Sequence, residues 1–74
     1  MITSKTVHIE RILFLNDGET YFIDMGEESG GEVWLKNDTY FLFGVSQYGG
    51  NPMFVQAYPR CHVDDLVDNV FSWT

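Results

Sequence analysis

The fold is decided by the stretch from Glu32 to Tyr58. It reads Glu32-Val-Trp-Leu-Lys36, then Asn37-Asp38, then Thr39-Tyr-Phe-Leu-Phe-Gly-Val-Ser46. A Gln47-Tyr-Gly-Gly-Asn-Pro52 connection follows, and then Met53-Phe-Val-Gln-Ala-Tyr58. Three runs rich in aromatic and β-branched residues meet at two turn signals, the pattern of a small antiparallel sheet. In the first run Val33 and Leu35 alternate with Trp34. In the second, Phe41, Phe43 and Val45 take one face while Tyr40, Leu42 and Gly44 take the other, since successive side chains of a strand point to opposite faces. Apolar residues on both faces suit a central strand. Asn37-Asp38 is short enough for a tight hairpin turn, and Pro59 stops the third run because it lacks the donor a ladder needs.

Upstream, Gly26-Glu-Glu-Ser-Gly-Gly31 carries no apolar residue and three glycines, so it is expected as an acidic loop tip. Glu19 to Met25 is expected as a strand, with Tyr21, Ile23 and Met25 opposite Thr20, Phe22 and Asp24. Asn16-Asp17-Gly18 before it is a hairpin signal, because Gly takes φ > 0 without steric cost. Lys5 to Leu15 is expected as the first strand, after a short end at Met1–Ser4. Val7 and Ile9 lie on the odd register but Ile12 and Phe14 on the even one. A bulge near Glu10 and Arg11 would restore a single apolar face, or the second half would be buried on both faces.

Downstream of Pro59 the period changes. Val63, Leu66, Val67, Val70 and Phe71 recur at the spacing of one helical face, with Asp64, Asp65, Asp68, Asn69 and Ser72 opposite. Asp64 and Asp65 in the first turn complement the positive end of the helix dipole. A helix of about three turns is marginal alone and is expected to dock on the sheet. The expected fold is therefore α+β, mainly β. It is a single domain over residues 1–74: a five-stranded antiparallel meander, open and twisted or curled into a small barrel, with one C-terminal helix packed on it.

Eleven acidic residues against four basic ones give a net charge of −7, large for 74 residues. That disfavours direct binding to nucleic acid, whose affinity rests on Lys and Arg against phosphates, and disfavours anionic membranes likewise. It favours solubility and a basic partner. One cysteine excludes an internal disulfide framework and points to a reducing, cytoplasmic setting. The longest apolar stretch is Ile12 to Leu15, far short of a membrane span.

The densest group of reactive side chains is Cys61-His62-Val63-Asp64-Asp65. Adjacency near a helix start does not supply the geometry of a nucleophile and its base, so catalysis is not expected there. The paired spacings of zinc sites are absent, Asn16-Asp17-Gly18-Glu19 falls short of a calcium loop, and neither glycine-rich segment carries a Walker lysine. No metal, cofactor or catalytic residue is expected.

What the residues favour is a small acidic, non-enzymatic protein-binding module. Its most concrete form is a phage-type inhibitor occupying the basic nucleic-acid-binding surface of a host defence or nucleic-acid-processing protein. The alternative is an assembly subunit that homo-oligomerises, as a homodimer or larger, through a sheet edge and an aromatic patch. One helix covers only one face of such a sheet, which leaves Trp34, Tyr40, Leu42, Tyr48, Phe54 and Tyr58 as candidates for that patch, unless a closed barrel buries them. The expected partner contacts are Asp17, Glu19, Glu27, Glu28, Glu32, Trp34, Tyr48, Asp64, Asp65 and Asp68.

Overall fold

The N-terminal run expected as a strand is a helix. Helix α1 spans Ser4–Leu13 in a computed structural model that describes residues 4–27, 29–46 and 48–73. Of the short N-terminal end, residues 1–3 lie outside the described set. There follow β1 (Thr20–Gly26), β2 (Ser29–Lys36), β3 (Thr39–Val45), β4 (Met53–Pro59), a 3-10 turn over Arg60–His62, and α2 (Val63–Phe71). Four strands and two helices thus replace the expected five strands and one helix. The class, α+β and mainly β, stands.

The broken parity at Glu10 and Arg11 is the sign of the wrong period rather than of a bulge. On a helix, Lys5, His8, Ile9 and Ile12 share one side. Ile12 is fully buried there, and Ile9 packs against the core. The Lys5 ammonium lies 5.7 Å from the Phe71 ring centroid, and the His8 ring stands 5.8 Å from the same ring. The Asn16-Asp17-Gly18 turn does form, with the Glu19 amide donating to the Asn16 carbonyl at 3.0 Å. It joins a helix to a strand, however, and not two strands.

The sheet is an antiparallel meander in the order β1-β2-β3-β4, open at β1 and β4, so the barrel alternative does not apply. Asn37 and Asp38 turn between β2 and β3 with φ of 52° and 59°, the left-handed pair that a two-residue hairpin turn requires. Val55 is an extra residue in β4: Leu42 pairs with Gln56 and Phe43 with Phe54, which leaves Val55 unmatched. The strand β2 begins at Ser29, so Gly30 and Gly31 belong to the ladder and not to the expected loop.

Both helices lie on one face. The molecule measures 32 × 31 × 17 Å, the thickness of one sheet and one helical layer. The inner face contributes Ile23, Val33, Leu35, Tyr40, Leu42 and Tyr58 to the core. The helices contribute Ile12, Val63, Leu66, Val67 and Val70. Gly31 sets the distance between the layers, because a Cβ there would stand 2.9 Å from a Val70 methyl and 3.2 Å from Leu42 Cδ1. At Gly30 a Cβ would overlap the Ile23 carbonyl oxygen of the neighbouring strand. The buried hydroxyls are paired: Tyr40 donates to the Ile12 carbonyl at 3.3 Å, and Tyr58 accepts from Asn69 Nδ2 at 2.9 Å. Asn69, expected on the solvent side of its helix, also accepts from Trp73 Nε1 at 3.3 Å and so ties the chain end to the core.

Candidate functional site

Two surfaces stand out once the layers are in place. The first is the outer face of the sheet, which neither helix covers. Alternation along the strands puts Phe22, Trp34, Phe41, Phe43 and Phe54 on it. Four of these rings form a chain: Trp34 to Phe41 at 5.3 Å, Phe41 to Phe54 at 6.4 Å, and Phe54 to Phe43 at 5.8 Å with planes 71° apart. These are ordinary separations for offset and edge-to-face pairs. The patch is partly open to solvent: Phe54 is 58% exposed and Phe22 40%.

This patch differs from the expected one. Tyr40, Leu42 and Tyr58 point inward and are buried, while Trp34 and Phe54 lie on the outer face as anticipated. Phe22, Phe41 and Phe43 complete it. The signal for them was present in the period-2 pattern of Thr39 to Val45. It was hidden because the number of covering helices decides which alternate set is core.

The second surface is a cleft of about 860 Å³ at the end of the sheet where the β1–β2 turn, the β3–β4 connection and the end of α2 come together. Its walls include Met25, Met53, Val55 and Trp73, with Ser29, Ser46 and Asn51 as polar groups. Backbone at Gly30 and Gly44 gives it depth, since neither presents a side chain. Of this lining only Phe54 was among the residues expected in an apolar patch. The cleft arises from three segments distant in sequence, so no local pattern announces it.

The carboxylates do not gather at one place. Asp17 and Glu19 sit in the α1–β1 loop beside the β2–β3 turn, and both serve the backbone. Asp17 accepts from the Asn37 amide at 2.7 Å and lies 3.5 Å from Lys36 Nζ; Glu19 accepts from the Asn16 amide at 2.7 Å. Asp64 and Asp65 open α2 near the same end, and Asp65 pairs with His62 at 3.2 Å. Asp68 is 3.1 Å from Lys5. Glu27 is at the opposite end, in the β1–β2 turn, roughly 20 Å away along a seven-residue strand. Glu28 lies outside the described residues. Glu32 is on the outer face, and Tyr48 is exposed in the β3–β4 connection.

What does concentrate is the imbalance of sign. Between Arg11 and Lys36 the chain has no Lys, Arg or His and carries Asp17, Glu19, Asp24, Glu27, Glu28 and Glu32. Of these, Asp24 and Glu27 lie toward the β1–β2 turn, where no basic residue neighbours them in sequence, and Met25, Ser29 and Gly30 of the same hairpin form one wall of the cleft.

The titratable groups elsewhere are structural in their surroundings. His8 shares a 2.7 Å hydrogen bond with the Tyr21 hydroxyl. Burial lowers its pKa below the ordinary 6.5, and the nearby Arg11 charge lowers it further. Cys61 is exposed on the 3-10 turn, and the adjacent His62 reaches Asp65. Among the described residues no three His, Cys, Asp or Glu side chains are grouped as metal ligands would be, and no helix is long and apolar enough to cross a membrane. The chain matches no family model, no curated protein and no solved structure.

Proposed function

We propose that this chain is a small acidic, non-enzymatic protein-binding module that takes a basic partner at the β1–β2 end. One observation carries the reading: an apolar cleft of about 860 Å³ opens against the turn end of a hairpin whose charged residues, apart from Lys36 at its far end, are all carboxylates. Such a site suits a partner segment that presents an apolar side chain between Lys or Arg residues. The apolar group enters between Met25, Met53 and Trp73, and the cations meet Glu27 and its neighbours. A cleft of this kind supplies the buried anchor, and the surrounding charge supplies encounter rate and orientation.

In its most specific form the module is a cytoplasmic inhibitor of phage type. It occupies the basic nucleic-acid-binding surface of a host defence or nucleic-acid-processing protein. The net charge of −7 and the small size support that form. The spread of Asp17, Glu19, Asp64 and Asp65 to the far end of the sheet argues that contact involves the hairpin end and not all the carboxylates together.

The test is affinity capture on the immobilised protein with a salt gradient, run beside the triple variant Glu27→Lys, Glu28→Lys, Glu32→Lys. The expected result is a basic nucleic-acid-binding protein that elutes at moderate salt, is displaced by added DNA or RNA, and is lost with the variant. Equal capture by the variant would clear the acidic hairpin of any role.

A further inference from the structure

We propose that the partner segment binds as an added strand, with its main chain hydrogen-bonded along the open edge of β4 and its apolar side chain seated in the cleft. The proposal rests on the basic-partner reading for the chemistry of that segment. The main-chain pairing is a separate claim and is tested separately.

Exposure singles out β4. It is an edge strand, and Met53 through Ala57 are all exposed, a run that no other strand shows. Only Tyr58 of this strand is buried. From Thr39 to Pro59 the sequence has no Asp, Glu, Lys, Arg or His, in a chain of net charge −7. Natural sheet edges are commonly guarded by charged side chains; β1, the other edge, carries Asp24, and β4 carries none.

The ladder decides which main-chain groups face the open edge. The Leu35 amide donates to the Glu19 carbonyl at 3.1 Å, and the Leu35 carbonyl accepts from the Gly18 amide at 2.7 Å. The main-chain groups of Leu35 therefore turn toward the β1 side. Alternation turns those of Trp34 and Lys36 toward β3, and those of their partners Phe41 and Thr39 back toward β2. Tyr40 and Leu42 are left to bond β4, where they meet Tyr58 and Gln56. The N–H and C=O of Ala57, between those two, point to the open edge. Pro59, the next position of that kind, has no N–H to leave unpaired. Beyond the bulge at Val55, Phe54 stands opposite Phe43, whose groups turn to β2, so the groups of Phe54 face the open edge as well. Ala57 and Phe54 thus offer the donors and acceptors that an extended main chain takes up in strand addition.

The edge leads into the cleft, which Met53, Phe54 and Val55 line. A Cβ at Gly44, on the inner face with Leu42, would meet Val55 Cγ2 at 3.7 Å and the Trp73 ring at 3.9 Å, so both stand on the helical side. Cross-strand partners share a face. Residues of the added strand opposite Ala57 and Phe54 lie on the outer face, where a cation meets the Phe54 ring. The residues between them face Val55 and Trp73, as the apolar anchor requires. The bulge at Val55 and Pro59 blunt pairing with the rigid edge of a second copy, which also brings a further −7. A pliable segment follows the bulge, and the carboxylates Asp24 and Glu27 toward the β1–β2 turn draw its cations.

The probe is a capped peptide of alternating Lys and Leu, matched to the seven residues of β4 and titrated calorimetrically into the full-length chain. Dissociation on the order of 100 micromolar is expected, and the Ala57 amide should gain protection from hydrogen exchange. With Leu inward, the Lys amides face β4. Methylating the Lys amides should weaken binding at least about tenfold, and methylating the Leu amides should change it little. Ala57→Pro removes a donor directed only at the open edge, so it should also cost about tenfold while leaving the far-UV circular dichroism unchanged. Undiminished binding of the Lys-methylated peptide would overturn strand addition and leave the cleft reading standing. No binding of the plain peptide at millimolar concentration would also overturn it. So would a wild-type chain that dimerises in sedimentation beside a monomeric Ala57→Pro chain, which would assign the edge to a second copy. Equal binding of a peptide with Glu in place of Lys, still lost with Ala57→Pro, would uphold strand addition and remove the basic-partner reading instead.

Discussion

The two faces of this sheet are built from the same strands and both carry large apolar residues, yet only one is a core. On β3, Tyr40 and Leu42 point inward and are fully buried, while Phe41 and Phe43, one residue along from each, point outward and remain partly open. The inner residues meet two helices, and the Tyr40 hydroxyl is satisfied by a helix carbonyl. The outer rings meet mainly each other. Aromatic content alone is thus a poor guide to burial; what decides is whether a second layer exists on that side.

The sharpest test of that difference is a pair of substitutions on neighbouring strands, Leu42 on β3 and Phe54 on β4. Leu42→Ala should cost about 3 kcal/mol, for lost transfer energy and the cavity left behind. Phe54→Ala, on the open face, should cost less than about 1 kcal/mol, because its ring is still largely in water. Urea denaturation of dilute protein reads both, and equal costs would mean that the outer face is as structural as the inner one.

A smaller effect concerns how closely the helical layer sits. Gly31→Ala places a methyl within 2.9 Å of Val70, so α2 or the Val70 rotamer must shift, at about 1–3 kcal/mol. A stability equal to wild type would show that the layers have slack between them. The smallest effect is at His8, on the covered side. Its folded pKa is depressed below 6.5, chiefly by burial, so the unfolded chain binds the proton more readily. The stability that His8 contributes is present above about pH 6.5 and is lost as pH falls through its lowered folded value. His8→Gln should flatten the stability profile in that window, and an unchanged profile would assign the acid sensitivity to other groups.

Much of this architecture was legible in the chain. The four strands, the Asn37-Asp38 turn and the stripe of α2 all follow from periodicity and turn chemistry. Helix α1 was not legible, because two positions on its packed side are Lys5 and His8. Lys5 lies beside Phe71 and His8 packs its ring against Tyr21 and Phe71, so polar letters fill places where a pattern reader expects apolar ones. That one error removed the helix that helps cover the inner face and misassigned half of the aromatic patch. The acidic residues were visible as clusters, but their arrangement was not. Which loops share an end depends on strand order and direction, and these place Asp17 and Glu27 at opposite ends of β1. The expectation that the sheet would leave aromatics spare held for Trp34 and Phe54 and failed for Tyr40 and Tyr58.

The two tryptophans are divided between the two surfaces: Trp34 sits within the outer aromatic face, and Trp73 lines the cleft at the other end of the chain. Intrinsic fluorescence is thus already partitioned by location. A Trp73→Phe chain emits only from the sheet face and a Trp34→Phe chain only from the cleft. A shift in the second on adding a basic peptide reports the cleft, and a shift in the first reports any contact made at the sheet face. The chain carries its own pair of site-specific optical labels.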